Sequence, residues 1–291
     1  MASPETACLG DVLAATGGRP PRPGRRTVRA SPRALLPAGL AALSLLGCLL
    51  LWHWLSSTRA NFGFVTFANV PPPAEVLAAG IELLSSPKRM LHIGHSLTRI
   101  AFGFLAAALF GVGCGLLIGR FRLAARLLLP PLEVLRPIPA VAWIPLAILM
   151  FPSSEMSMIY INFTGAVFPI LLNTIHGVEA VDPRLIASAR SLGTRRWRLF
   201  IEVILPSAAP GIFTGLSIGM GTCWFCLVSA EMISGQFGIG YYTWESYTVQ
   251  NYAGIVVGML FIGAFGMASS ALVRWLGGLA TPWYRLQEKQ S

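Results

Sequence analysis

The chain has 291 residues, 54% of them hydrophobic and only 12% charged, with a mean hydropathy of +0.64. A soluble domain carries about a quarter charged residues, and several apolar runs here exceed the ~20 residues that cross a bilayer as a helix. Composition therefore excludes a soluble globular domain. The net charge of +10 does not indicate nucleic acid, because eighteen of the 22 Lys and Arg sit in four places: 1–33, 120–136, 184–198 and the tail from Arg274. The alternating regions hold only Arg59, Lys88, Arg89 and Arg99. That asymmetry is the positive-inside pattern and places the four clusters in the cytoplasm. A β-barrel would show short alternating segments, and none are evident. The expected class is an all-α polytopic membrane protein with about six transmembrane helices.

Residues 1–34 hold Gly, Pro and arginines with few large apolar side chains, and read as a disordered basic cytoplasmic arm. Leu35 to Ser56 is too long for a signal-peptide core and reads as a retained first span, its basic flank inside. Pro71, Pro72 and Pro73 halt regular structure on the far side, and Ala74 to Leu84 suits a short interfacial helix. His92 and His95 stand three apart; without a third ligand they read as an interfacial face rather than a metal site. The second span is expected over Ile100 to Gly119, with Gly111, Gly115 and Gly119 forming a seam for close helix packing.

The third span is irregular, carrying Pro130, Pro131, Pro137, Pro139 and Pro145 around Trp143. Interrupted backbone at membrane depth must be buried in protein or line a cavity. Pro139, Trp143 and Pro145 are thus candidates for a path or gate, against a plain broken helix end followed by a loop. A fourth span is expected at Met156 to Ile175 after a short outside turn, Phe151 to Glu155. The fifth runs from Gly211 to Met232, with a second seam at Gly211, Gly215 and Gly219. Glu231 closes it: an acid within a span is a candidate path or gate residue, although its outer position also allows contact with water. Residues 233–253 are rich in Gly and aromatics and read as an outside loop; Gly254 to Val273 is the sixth span. The transmembrane domain is taken as 35–280, with a cytoplasmic tail at 281–291.

Between spans four and five lies a long charged island, 179–206. Asp182 can cap a helix that Pro183 opens, Gly193 can end it in the left-handed conformation, and Thr194 can cap a second helix climbing towards Pro206. Leu185, Ile186, Ala189 and Leu192 share one face; Arg184, Ser188, Ser191 and Arg195 share another. Ala187, Ser188 and Arg190 give an outer side small and basic enough for another protein to approach closely.

No catalytic constellation accompanies these spans. The only lysines, Lys88 and Lys289, follow no phosphate-binding loop, so ATP hydrolysis would need a separate subunit. Cys223 and Cys226 form a C-x-x-C in an apolar run, without further metal ligands, and read as helix packing.

The island resembles the cytoplasmic loop of permease subunits of bacterial ATP-binding-cassette importers: E-A-A, three residues, G, nine residues, I-x-L-P. Ala187-Ser188-Ala189 stands in the E-A-A place, Gly193 is the glycine and Val203-Ile204-Leu205-Pro206 the closing element. The leading Glu is replaced by Ala187 and the next Ala by Ser188. LRPIPAVAWIPLAILMF, DPRLIASARSLGTRRWRLF and LVSAEMISGQFGIGY resemble the nitrate, sulfonate, taurine and bicarbonate branch, over roughly residues 70–275. The resemblance implies a type I importer permease fold in the bacterial inner membrane, both termini cytoplasmic, working with a second permease copy as a homodimer. It further implies two ATPase subunits that hold ATP and Mg, no cofactor on this chain, and a periplasmic solute-binding protein delivering a small anion. Residues 183–192 would be the coupling helix, with Arg184, Ala187, Ser188, Ala189, Arg190, Gly193 and Pro206 at the ATPase dock. The basic residues alternatively meet anionic membrane lipids. A non-transporting membrane scaffold and a passive channel are the competing classes.

Overall fold

The computed structural model describes residues 32–283. The basic arm, apart from its last three residues, and the tail beyond Trp283 lie outside the described residues. Two compact units divide the chain at Leu51 and Trp52. The first contributes most of helix α1 (Pro32–Ser57). The second holds the end of α1, then α2 (Pro73–Ser85), α3 (Pro87–Arg120), α4 (Arg122–Leu135), a 3-10 turn (Ala140–Trp143), α5 (Ile144–Met150), α6 (Ser154–Glu179) and α7 (Pro183–Ser191). A helical turn (Arg196–Arg198) and a π-helix (Leu199–Ile204) lead into α8 (Leu205–Ser234), followed by α9 (Ile239–Thr248) and α10 (Tyr252–Ala280). Among the described residues the only β feature is a bridge between Asn61 and Thr66.

Five helical runs are long and apolar enough to cross a membrane, and a sixth span is completed if α4 and the Ala140–Met150 segment, bent by 82°, count as one. Pro137 and Pro139 account for the break, since proline removes an amide donor and pushes its predecessor out of the α region. The second, fourth, fifth and sixth spans are longer than expected. The fifth begins at Arg196 rather than Gly211. The π-helix widens the turn just before Pro206, where a regular α-turn would force the proline ring against a carbonyl.

Helix α6 is the centre of the unit, with α3 on one side and α8 on the other. A methyl group at Gly115 would stand 2.6 Å from Thr174 Cβ and 3.0 Å from the Leu171 carbonyl; Gly111 meets Val167 and Ile170, Gly119 meets Ile175 and Val178. The expected seam is therefore real, and Gly103, against Ile159 and Asn162, together with fully buried Ala107 extends it towards the start of α3. Contacts pair 103 with 159, 111 with 167, 115 with 171 and 119 with 175, a constant offset of 56. Helices α3 and α6 are thus parallel and in register over their whole contact. The second seam is antiparallel: Gly211 meets Gly177 backbone to backbone, Gly215 meets Asn173, and Gly219 meets Ile170 and Ala166. With little difference in hydrophobicity between lipid and protein, such close approach supplies the dispersion contacts that hold membrane helices together.

Candidate functional site

Three places carry the residues singled out by sequence. The first is the charged island. Asp182 accepts from the Arg184 amide at 2.8 Å, and Pro183 opens α7. Gly193 has φ +76, and the Thr194 amide donates to the Ala189 carbonyl at 3.1 Å while the Gly193 amide donates to Arg190 at 2.9 Å. That pair of bonds closes the helix in a Schellman turn, which only a residue tolerant of positive φ can make cheaply. Thr194 does not cap the next helix; the chain enters it at Arg195 without a side-chain cap.

Of the expected apolar face, only Ile186 and Ala189 pack, against a core of Val178, Val181, Leu199, Ile204, Ala208 and Ile212. Leu185 and Leu192 are exposed, Leu192 by 86%. The shortness of α7 explains this, since one turn of contact is all that the end of α6 and the start of α8 offer. Arg184, Ala187, Ser188 and Arg190 face outward and Ala189 is half-buried. Pro206 is half-buried inside the continuous helix. The island is thus an exposed, small and basic surface, rooted in the two helices that flank the α6–α8 seam.

The second place is the broken span. Pro139 and Pro145 are exposed, whereas Trp143 lines an apolar cavity of about 150 Å³ with Phe110, Tyr160, Phe163 and Leu171. Ile144 and Ala147 are buried against Met158, Ile161, Cys226 and Ala230. Glu231 is not brought to this element; its hydrogen bonds go elsewhere.

The third place joins Glu231 to residues that sequence did not connect with it. Glu231, expected at an outer end within reach of water, is 0% exposed. Arg99, which sequence placed outside the second span, lies twelve residues into α3 and is 1% exposed. Its Nη1 donates to Glu231 Oε1 at 2.8 Å and to the Phe237 carbonyl at 2.5 Å. Its Nε and Nη2 donate to the two oxygens of Glu155 at 2.7 and 2.5 Å, a forked pair. Glu155 is half-exposed in the first turn of α6. Arg99 lies 21 residues from Arg120, about 31 Å along a helix, so the cluster sits near the hydrocarbon boundary opposite Arg120.

This cluster also explains the region 233–253, which contains the ten-residue helix α9 where an outside loop was expected. Helix α9 has no side-chain cap of its own. Its first amides are served from other helices: Ile239 donates to Ser96 Oγ at 2.8 Å and Gly240 to Glu231 Oε2 at 2.9 Å, while the Gly238 amide donates to His92 Nδ1 at 3.1 Å. A carboxylate at that end is also favoured by the helix dipole. Gly238, at φ +132, presses its bare Cα against the Glu231 carboxylate, leaving no room for a side chain. Ser96 donates to Glu231 Oε1 at 2.7 Å. His95 stacks on Phe237, and its Nδ1 stands 3.7 Å from Glu155. His92 and His95 thus serve this packing. Cys223 and Cys226 are buried, reduced and packed within the helices.

Residues 107–286 match the family model described as "Binding-protein-dependent transport system inner membrane component". The chain is 33% identical over 261 residues to the nitrate import permease protein NrtB of Synechocystis sp., covering 87% of this chain and 91% of that one. It is 37% identical over 182 residues to the bicarbonate transport system permease protein CmpB of Synechococcus elongatus, covering 62% of this chain and 66% of the relative. With helices throughout its described residues, paired glycine seams and a loop of helix, glycine and helix between its central spans, the chain belongs to this family, the membrane-spanning permease subunits of ABC importers.

Proposed function

We propose that this subunit, paired with a second copy, forms the membrane path for a small anion: nitrate, bicarbonate or a sulfonate such as taurine. A periplasmic binding protein delivers the solute, and ATP hydrolysis on separate ATPase subunits drives transport, ATP and Mg being held there and not on this chain. The membrane is the bacterial inner membrane, with both termini and the island on the cytoplasmic side, as the arginine distribution favours. The choice of solute is supported by relatives named for nitrate and bicarbonate import.

The observation that carries the reading is the Gly193 joint. Arg184, Ala187, Ser188, Ala189 and Arg190 lie on a capped, closed helix whose underside is fixed to α6 and α8. An ATPase groove seated on that helix can therefore push on both at once. Movement requires that docking be stronger in one transport state than in the other. Pro139, Trp143 and Pro145 form the bent element that alternates with these states, and Glu231 acts by holding the outer end together.

The test is Gly193→Pro. Proline fixes φ near −65°, whereas Gly193 needs +76. The variant is expected to insert normally in the membrane while losing ATPase association and anion uptake. Uptake at the original rate would reject the coupling role; insertion and partner binding without any uptake by the unaltered protein would favour a scaffold.

A further inference from the structure

At the end of the molecule opposite Arg99, an open groove of about 1190 Å³ separates the last turns of α3 from the helical run that begins at Arg196. Arg120, Arg190 and Arg196 line it, and no carboxylate does. None of the three makes an ion pair among the described residues. Arg120 is the last residue of the α3 run, about one hydrocarbon thickness from Arg99, and Arg196 opens the long helical run into α8. Trp197, 71% exposed, and Phe121, whose ring lies 5.7 Å from the Arg120 guanidinium carbon, also line the groove.

The groove does not stop at the arginines. Leu117 and Gly113 line it three and seven residues before Arg120, and Phe200 four residues after Arg196. Along a helix, seven residues descend about 10 Å into the hydrocarbon. Gly113 has nothing within 4 Å of where its side chain would be, unlike Gly111 and Gly115 on the packed face of the same helix. The occupant must therefore be anionic at its head and apolar over two helical turns. An acidic segment of a soluble partner meets the first requirement and not the second, because its polar backbone would be unsatisfied at that depth.

We propose that this groove is a binding site for one anionic phospholipid, its phosphate among Arg120, Arg190 and Arg196 and an acyl chain along Gly113 and Leu117. The site rests on the proposed orientation only for the name of the leaflet, the cytoplasmic one, where anionic lipids concentrate. A lipid held there touches both the end of the α3 seam and the last turn of α7, so membrane composition would reach the docking helix directly.

The experiment is native mass spectrometry of the full chain in detergent, titrated with phosphatidylglycerol, phosphatidylcholine or glycerol 3-phosphate. Phosphatidylglycerol is expected to be retained at least tenfold more tightly than phosphatidylcholine, and glycerol 3-phosphate not to displace it. Arg120→Gln with Arg196→Gln should abolish the preference. Gly113→Leu, which fills the slot without touching a charge, should weaken phosphatidylglycerol retention at least fivefold. Equal retention of the two lipids, or unchanged retention in both variants, overturns the site. Displacement by glycerol 3-phosphate would make it a free phosphoester site and rejects the lipid. Arg120, Arg196 and Gly113 lie outside the proposed docking set, so failure here leaves the Gly193 test untouched.

Discussion

Arg99, 1% exposed, is surrounded by two carboxylates and a backbone carbonyl, and its removal would leave Glu231 buried without its cationic partner, with only Ser96 and the Gly240 amide as donors. Breaking one side of a buried pair costs about 3–5 kcal/mol, whereas an exposed partner contributes about 0–1 kcal/mol. Arg99→Met is therefore expected to lower stability severely in thermal unfolding in detergent. Adding Glu231→Gln should restore part of the loss, because the amide still accepts hydrogen bonds without carrying a charge. Glu155→Gln, at a half-exposed position, should be mild. A double variant as unstable as the sum of its parts would show that the two residues do not act together. Sequence hid this cluster for a physical reason: spans are delimited by the absence of charge, so Arg99 was assigned to the loop before Ile100. The readable sign was periodicity, since His92, Ser96 and Arg99 share one helical face and Arg99 continues the row of Gly103, Ala107 and Gly111.

At the scale of elements, what the sequence made legible were the features that backbone geometry dictates locally: both glycine rows, the Asp182 cap, the left-handed Gly193 and the proline break of the third span. Features dictated by contacts between distant helices were not. Helix α9 is capped by Ser96 and Glu231, which its own sequence cannot announce, and the single packed turn of α7 follows from the size of the surface beneath it. The seams supply a direct test. A methyl at Gly115 would be 3.0 Å from the Leu171 backbone oxygen, which cannot yield as a side-chain tip can. Gly115→Leu should destabilise by about 1–3 kcal/mol through overpacking. Gly113→Ala, on the open side of the same helix, should be neutral or stabilising by up to ~1 kcal/mol through helix propensity. Equal effects of the two would mean that α3 and α6 are not held by this seam.

For the whole molecule, the arginine clusters and the membrane spans make a joint statement about sidedness that chemical labelling can read. In a chain cleared of its own cysteines, Val249→Cys, next to α9, should react with an impermeant maleimide in intact cells. Leu192→Cys, at the end of α7, should react only after the membrane is opened; both positions are well exposed. Labelling of Leu192→Cys in intact cells would invert the orientation and move the docking surface to the wrong side for an ATPase.

The constant offset between α3 and α6 has the form of a ratchet. Small residues recur every fourth position, so α3 can rest against α6 only in steps of one notch, about 6 Å along the axis. The Arg99–Glu155 fork is the pawl. Sliding α3 one notch inward would carry Arg99 to the level of Ile159, out of reach of Glu155 and into the slot that Gly103 fills, where even a Cβ would stand 2.5 Å from Asn162. With that fork closed, the two helices are held as a single strut.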